Sequence, residues 1–158
     1  MKRRRGTLLL ILAALLLLLT ACGGAPNVDW ELMISGDVEN PTTFTYKELT
    51  KMEQVSLDEI LMEKSTGEDE IRSWSGVELS ELLDEAGAGE FSTITALAAD
   101  GYAIEVTADE LEGAIVALKD HEGWIAKTTP DKGPIRLVTP ETPANRWVFQ
   151  LTEIQVNQ

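Results

Sequence analysis

From residue 30 onward, apolar and polar positions alternate in short stretches. Trp30, Leu32 and Ile34 alternate with Glu31, Met33 and Ser35, which predicts a first strand ending at Gly36-Asp37. After a loop holding Asn40-Pro41, Thr45-Tyr46-Lys47-Glu48 has the form of a capping box, in which hydroxyl and carboxylate satisfy free amides of a first turn. A short helix carrying Leu49 and Met52 should follow. Val55, Leu57 and residues 60–62 predict a second strand, and the polar run 64–69 turns it back toward Ile71 and Trp74 as a hairpin. Val77, Leu79, Leu82, Leu83 and Ala86 fall at helical spacing with Gly87 placed as a left-handed cap, which predicts a helix over 77–86.

The second half repeats the pattern with shorter units. Residues 92–98 alternate and meet Asp100-Gly101, a strong hairpin signal, before Tyr102, Ile104 and Val106 return. Thr107-Ala108-Asp109-Glu110 forms a second capping box. Residues 114–118 and 124–126 read as a strand pair turned at Glu122-Gly123, and 135–138 and 147–156 as the last strands. Short strands with small helices between them, lacking a regular βαβ rhythm, predict a compact α+β domain built on a mixed sheet.

The N-terminus follows a different rule. Lys2, Arg3, Arg4 and Arg5 precede an apolar run over 8–19, the layout of a signal peptide, and the run is shorter than the roughly 20 residues a bilayer span needs. It ends in Leu19-Thr20-Ala21-Cys22-Gly23-Gly24, which resembles the lipobox of bacterial lipoproteins. That resemblance implies cleavage before Cys22 and diacylglycerol on its thiol, with acyl chains such as palmitate holding the protein on the outer face of the membrane. Two chains on one residue anchor stably. The expected organisation is a leader over 1–21, a lipidated tether over 22–28 and a folded domain over 29–158.

Charge then narrows the partners. The chain has 13 Lys and Arg against 27 Asp and Glu, a net charge of −14; removing the four basic residues of the leader leaves nine against 27, or −18. Such a surface repels nucleic acid and anionic headgroups, so no nucleic-acid role is expected and the lipid must do the anchoring. With Cys22 the only cysteine, the domain forms neither disulfides nor a thiolate metal site of its own.

Few chemistries remain. A nucleophile and base pair would need His121, which sits between Asp120 and Glu122 at a turn, a solvated place for a catalytic base. The acidic stretches Glu68-Asp69-Glu70 and Asp84-Glu85 lack the alternating spacing that converges oxygens on one cation, and read as solvated faces. Trp30, Trp74, Trp124 and Trp147 sit among strand residues, where sheet packing is the default and a stacking site the alternative. No residue is singled out as catalytic, no metal ligand is expected, and no glycine-rich phosphate loop is present.

The order of segments resembles the molybdopterin-binding domain of the sulfite oxidase superfamily. The resemblance runs from Ile34-Ser35-Gly36-Asp37-Val38-Glu39-Asn40-Pro41 and Thr45-Tyr46-Lys47-Glu48-Leu49, through Trp74-Ser75-Gly76-Val77 with Ala86-Gly87 and Asp100-Gly101-Tyr102, to Gly133-Pro134-Ile135-Arg136 and Arg146-Trp147-Val148. It implies that fold and a molybdopterin cofactor, with Arg136 near the cofactor phosphate, Arg146 a basic residue before the tryptophan and Lys132 where the family usually has histidine. A basic pocket beneath the Asp100-Gly101-Tyr102 turn would favour a retained cofactor. The family ligates molybdenum through a cysteine after its second strand, whereas residues 55–64 contain none. Three readings follow: a binding or accessory module that has lost the thiolate, an oxidoreductase with an oxygen ligand in its place, and an interaction lipoprotein that meets a partner protein through edge strands.

Overall fold

The structure is a computed structural model and describes residues 24–158. The expected leader over 1–21 and Cys22, the expected lipidation site, lie outside the described residues. In chain order the strands are β1 (Glu31–Gly36), β2 (Thr42–Thr45), β3 (Val55–Met62), β4 (Glu70–Glu78), β5 (Thr93–Ala98) and β6 (Ala103–Thr107). They continue with β7 (Ile115–Asp120), β8 (Gly123–Trp124), β9 (Arg136–Val138), β10 (Val148–Phe149) and β11 (Leu151–Asn157).

Among the described residues the α+β domain is built on two sheets. One has the order β2-β1-β11-β5-β6, and the other β10-β9-β7-β4-β3 with β8 beside β7. The first sheet is mixed, because β1 and β11 run parallel while its other pairs are antiparallel. Both capping boxes form: Thr45 caps the helix Tyr46–Leu49 and Thr107 the 3-10 turn Ala108–Leu111. Gly87 closes the helix Leu79–Ala86 at φ 72°, a left-handed position that glycine adopts without strain.

Three expected boundaries move. The helix begins at Leu79 rather than residue 77, because Val77 is still in β4, paired with Val116, and the Leu79 amide donates to the Ala114 carbonyl. The strand expected over 124–126 ends at Trp124, and Ile125–Thr128 coils into a helical turn. The strand expected over 147–156 is broken at Gln150, whose φ of 47° separates β10 from β11.

Strand β7 is the pivot of the packing. Its residues Ile115, Val116, Ala117 and Leu118 are all buried, since both of its faces are covered. Val116 and Leu118 join the main core with Leu32, Ile94, Ile154 and Leu82, whereas Ile115 and Ala117 face a smaller core with Trp74, Ile125, Val138 and Trp147. Full burial of each large aliphatic side chain contributes roughly 1.5–3 kcal/mol, so the larger cluster dominates stability. The smaller one shapes the site.

Candidate functional site

Side chains of a strand point alternately to opposite faces. On β9, Leu137 belongs to the main core, so Arg136 and Val138 are sent to the face of Trp74 and Trp147. Arg136 is flanked across the sheet by Ala117 on β7 and Phe149 on β10, and the small alanine leaves room for the guanidinium. The chain enters β9 through the cis peptide Gly133-Pro134. A Cβ on Gly133 would stand 3.0 Å from Ile125 Cγ2 and 3.2 Å from that residue's backbone, so glycine lets the two segments lie this close.

Arg136 is only 4% exposed. Its guanidinium carbon lies 3.9 Å from the centre of the Phe149 ring, 4.8 Å from Trp74 and 5.2 Å from Trp147, and the two indoles meet edge to face at 5.9 Å. Burial, and then the positive charge of Arg72, push its pKa down to about 9, so it remains a cation at neutral pH. Asp120 opposes that shift only weakly; its Oδ1 accepts from the amides of Glu122 at 2.8 Å and Gly123 at 3.1 Å. Nε and Nη2 of Arg136, and Nε1 of Trp74, are buried without a hydrogen-bond partner among the described residues. Unpartnered buried donors on a buried cation are costly, and an acceptor-only ligand would relieve the cost.

Both residues line a cavity of about 260 Å³, together with Lys64, Glu70, Arg72, Lys132 and Phe149. Lys132 Nζ lies 5.5 Å over the Phe149 ring. Glu70 holds the other two cations: Lys64 Nζ donates to its Oε1, and Arg72 Nε donates to its Oε2 at 2.7 Å. Those contacts, the Lys64 bond first, hold the Glu70 carboxyl at a pKa of about 2. The cavity thus gathers four cations, one of them the buried Arg136 guanidinium, with the carboxylates of Glu70, Asp120 and Glu122 in the same wall.

The residues expected to form one site are divided. Lys132 and Arg136 share the cavity just described. Asp100 and Tyr102 line a neighbouring depression of about 260 Å³ that also has Phe149 in its wall. Asp100 Oδ1 there accepts from the Tyr102 amide at 2.9 Å, and the Tyr102 hydroxyl donates to the Asn145 carbonyl at 3.3 Å. Arg146 lines neither: its Nη1 donates to Glu110 Oε1, and its Nη2 donates to Glu110 Oε2 at 3.0 Å and to the Glu105 carbonyl at 2.9 Å. It ties the 144–146 turn to the end of β6. Asp100 and Tyr102 therefore line a different depression from the basic cavity of Lys132 and Arg136, and Phe149 is common to both walls.

Sequence reasoning missed Lys64, Glu70, Arg72 and Phe149 as site residues. The signal for three side chains was present, since Glu70, Arg72 and Trp74 stand at i, i+2 and i+4 of one strand and share a face. Trp30 is structural, its Nε1 donating to the Leu151 carbonyl at 2.8 Å, and Trp124 lies under Lys119 at 4.2 Å. His121 is exposed, 4.0 Å from Glu122. Among the described residues no group of three or more His, Cys, Asp or Glu side chains could hold a metal ion.

A family model described as "Oxidoreductase molybdopterin binding domain" matches residues 22–158, and the chain belongs to that family. No curated protein matches the sequence. Among solved structures the fold is similar to the crystal structure of the sulfane dehydrogenase SoxCD from Paracoccus pantotrophus, with a TM-score of 0.72 and 22% identity over 85% of this chain. The match covers 40% of that protein's chain, and the likeness is one of fold. A molybdopterin cofactor can be tested against these side chains. Its phosphate tail fits, because Arg136, Arg72, Lys132 and Lys64 offer cations and the cavity holds unpartnered donors. Its metal does not, because the cavity walls offer no soft thiolate.

Proposed function

We propose, from the premise that the chain belongs to the oxidoreductase molybdopterin binding domain family, that it is an exported, lipid-anchored module binding an anionic group in the Arg136 cavity. It serves as a binding or accessory domain from which the family's metal chemistry has been lost. One observation carries this reading: Arg136 is buried against three aromatic rings with Nε and Nη2 unpartnered among the described residues, in a cavity whose walls add three further cations against three carboxylates. A ligand rich in acceptors satisfies such donors; a neutral or cationic one does not. Cys22, which would carry the lipid, is the only cysteine and stands ahead of the folded domain.

The test is the molybdenum and pterin content of the protein purified from its own host's membranes, beside an Arg136→Ala variant. Molybdenum far below one atom per chain in both is the expected result. Near-stoichiometric metal and pterin, lost in the variant, would overturn the accessory reading. It would establish instead an oxidoreductase with non-thiolate ligation, the reading that the basic cavity itself favours as the second choice. Anchoring has its own check: Cys22→Ser should move the protein from the membrane to the soluble fraction, and retention at the membrane would refute lipidation as the anchor.

A further inference from the structure

The acidic run 68–70 has no part in the function argued so far, yet its last residue stands inside the cation cluster. Glu70 precedes Arg72 by two residues and Trp74 by four on β4, and all three line the cavity. Its carboxylate engages Lys64 with one oxygen and Arg72 with the other. Among the described residues, Arg136 in the same cavity makes no ion pair and keeps two donor atoms unpartnered. The cations are thus unequal. Lys64 and Arg72 share one carboxylate, and the buried Arg136 has none in direct contact among the described residues.

An incoming oxyanion meets Arg136 as its free partner, but its remaining charge faces cations already engaged. Glu70, Lys64 and Arg72 are partly exposed, with side-chain exposures of 39%, 26% and 30%, and ion pairs in such positions are weak enough to exchange partners. We propose that Glu70 is a built-in competitor for the ligand: a tetrahedral dianion docking on Arg136 displaces the Glu70 carboxylate from Lys64 and Arg72, and Glu70 thereby sets the affinity. This rests on the reading of the Arg136 cavity as an anion site. A carboxylate ionised down to about pH 2 keeps the competition in force at every physiological pH. The dianion is a free sulfate or phosphate, or the phosphate end of an organic ester.

The experiment is a calorimetric titration of sulfate, and separately of glycerol phosphate, into the detergent-purified protein as wild type, Glu70→Gln and Arg136→Gln. Glu70→Gln should bind about tenfold more tightly than wild type, from loss of the competing charge and its repulsion of the ligand. Arg136→Gln should lose binding. In wild type, carboxyl-carbon NMR should show sulfate moving the Glu70 titration up from about 2 toward the ordinary carboxylate range, a readout that needs no variant. Tightening seen with the ester alone would support the inference with an organic phosphate as the source. Unchanged or weaker binding by Glu70→Gln, with Arg136→Gln still dead, would make Glu70 a strut and overturn the inference while leaving the anion site intact. No binding of either anion by any form would refute the cavity reading itself.

Discussion

Arg136 and Phe149 are cross-strand partners on β9 and β10, and the guanidinium carbon lies 3.9 Å from the centre of the ring. The ring face offers the cation negative quadrupole density without using an N–H donor. A carboxylate in the same place would have satisfied the charge and the donors together. With Phe149, Trp74 and Trp147 around it, the charge is only partly compensated and the donors stay free, which suits a site that waits for an anion.

Replacing such a charge with an apolar side chain of similar length should separate binding from stability. Arg136→Met removes the buried cation and its unpartnered donors while keeping much of the volume, so the free protein should be as stable as wild type or more so, by about 1 kcal/mol or more. Sulfate should raise the melting temperature of wild type and leave that of the variant unchanged. Thermal unfolding with and without sulfate checks both. A large loss of stability in Arg136→Met would mean that the guanidinium holds the sheet together.

Tyr46, remote from that cavity's lining, is another buried polar group. Its hydroxyl has no hydrogen-bond partner among the described residues, and burial pushes its pKa from 10 up to about 12. Because the folded state holds this proton more tightly than the unfolded one, its contribution is fully present below pH 10 and is lost as pH rises through about 12. Tyr46→Phe should remove that alkaline loss and stabilise the protein by up to about 1 kcal/mol at neutral pH, since no bond is broken. Urea unfolding at pH 7 and at alkaline pH tests the pair of claims.

At the acid end the relevant carboxylate is Glu110. The Arg146 hydrogen bond first, and then the Thr107 amide, hold its pKa at about 2. A depressed folded pKa stabilises above the ordinary carboxylate value of 4.5 and ceases to do so as pH falls through about 2. Glu110→Gln should therefore flatten the fall in urea midpoint between those two values. It should also leave sulfate binding unchanged, because Arg146 does not line the Arg136 cavity. A variant that lost sulfate binding would return Arg146 to the site.

The parts of this fold that were legible in the sequence are those whose causes are local. Thr45 with Glu48, Thr107 with Glu110, Asp100-Gly101 and Gly87 each act within a few residues, and each stands where its chemistry put it. Val77 shows the opposite case: helical spacing placed it in the helix, but its backbone pairs with Val116, 39 positions along the chain, and that partner decides its conformation. The site divided in the same way. Lys132 and Arg136 lie in one short segment and were found together, whereas Phe149 joins them only because β10 pairs with β9. Glu70 was read with Glu68 and Asp69 as a solvated acidic face because the run is acidic and lacks cation-binding spacing, and the face it shares with Arg72 and Trp74 becomes meaningful only when β4 has a partner on each side.

That central pairing depends on one residue without a side chain. Gly76 on β4 stands beside Ala117 on β7, next to a register shift between Ser75 and Gly76. A Cβ there would fall 2.0 Å from the Val116 carbonyl oxygen and 2.6 Å from the Ala117 Cα. Both are backbone atoms of the strand buried on its two faces, so no side-chain rotation relieves the clash. Gly76→Ala should destabilise the protein by about 3 kcal/mol, at the severe end for an added methyl group, because β4 must move away from β7. The same movement carries Arg72 and Trp74 on β4 away from Arg136 on β9, so sulfate affinity should fall along with stability. Urea unfolding and sulfate titration of this variant measure the two effects together; full stability would show that β4 can shift without cost, and normal sulfate binding that the cavity does not depend on the β4–β7 register.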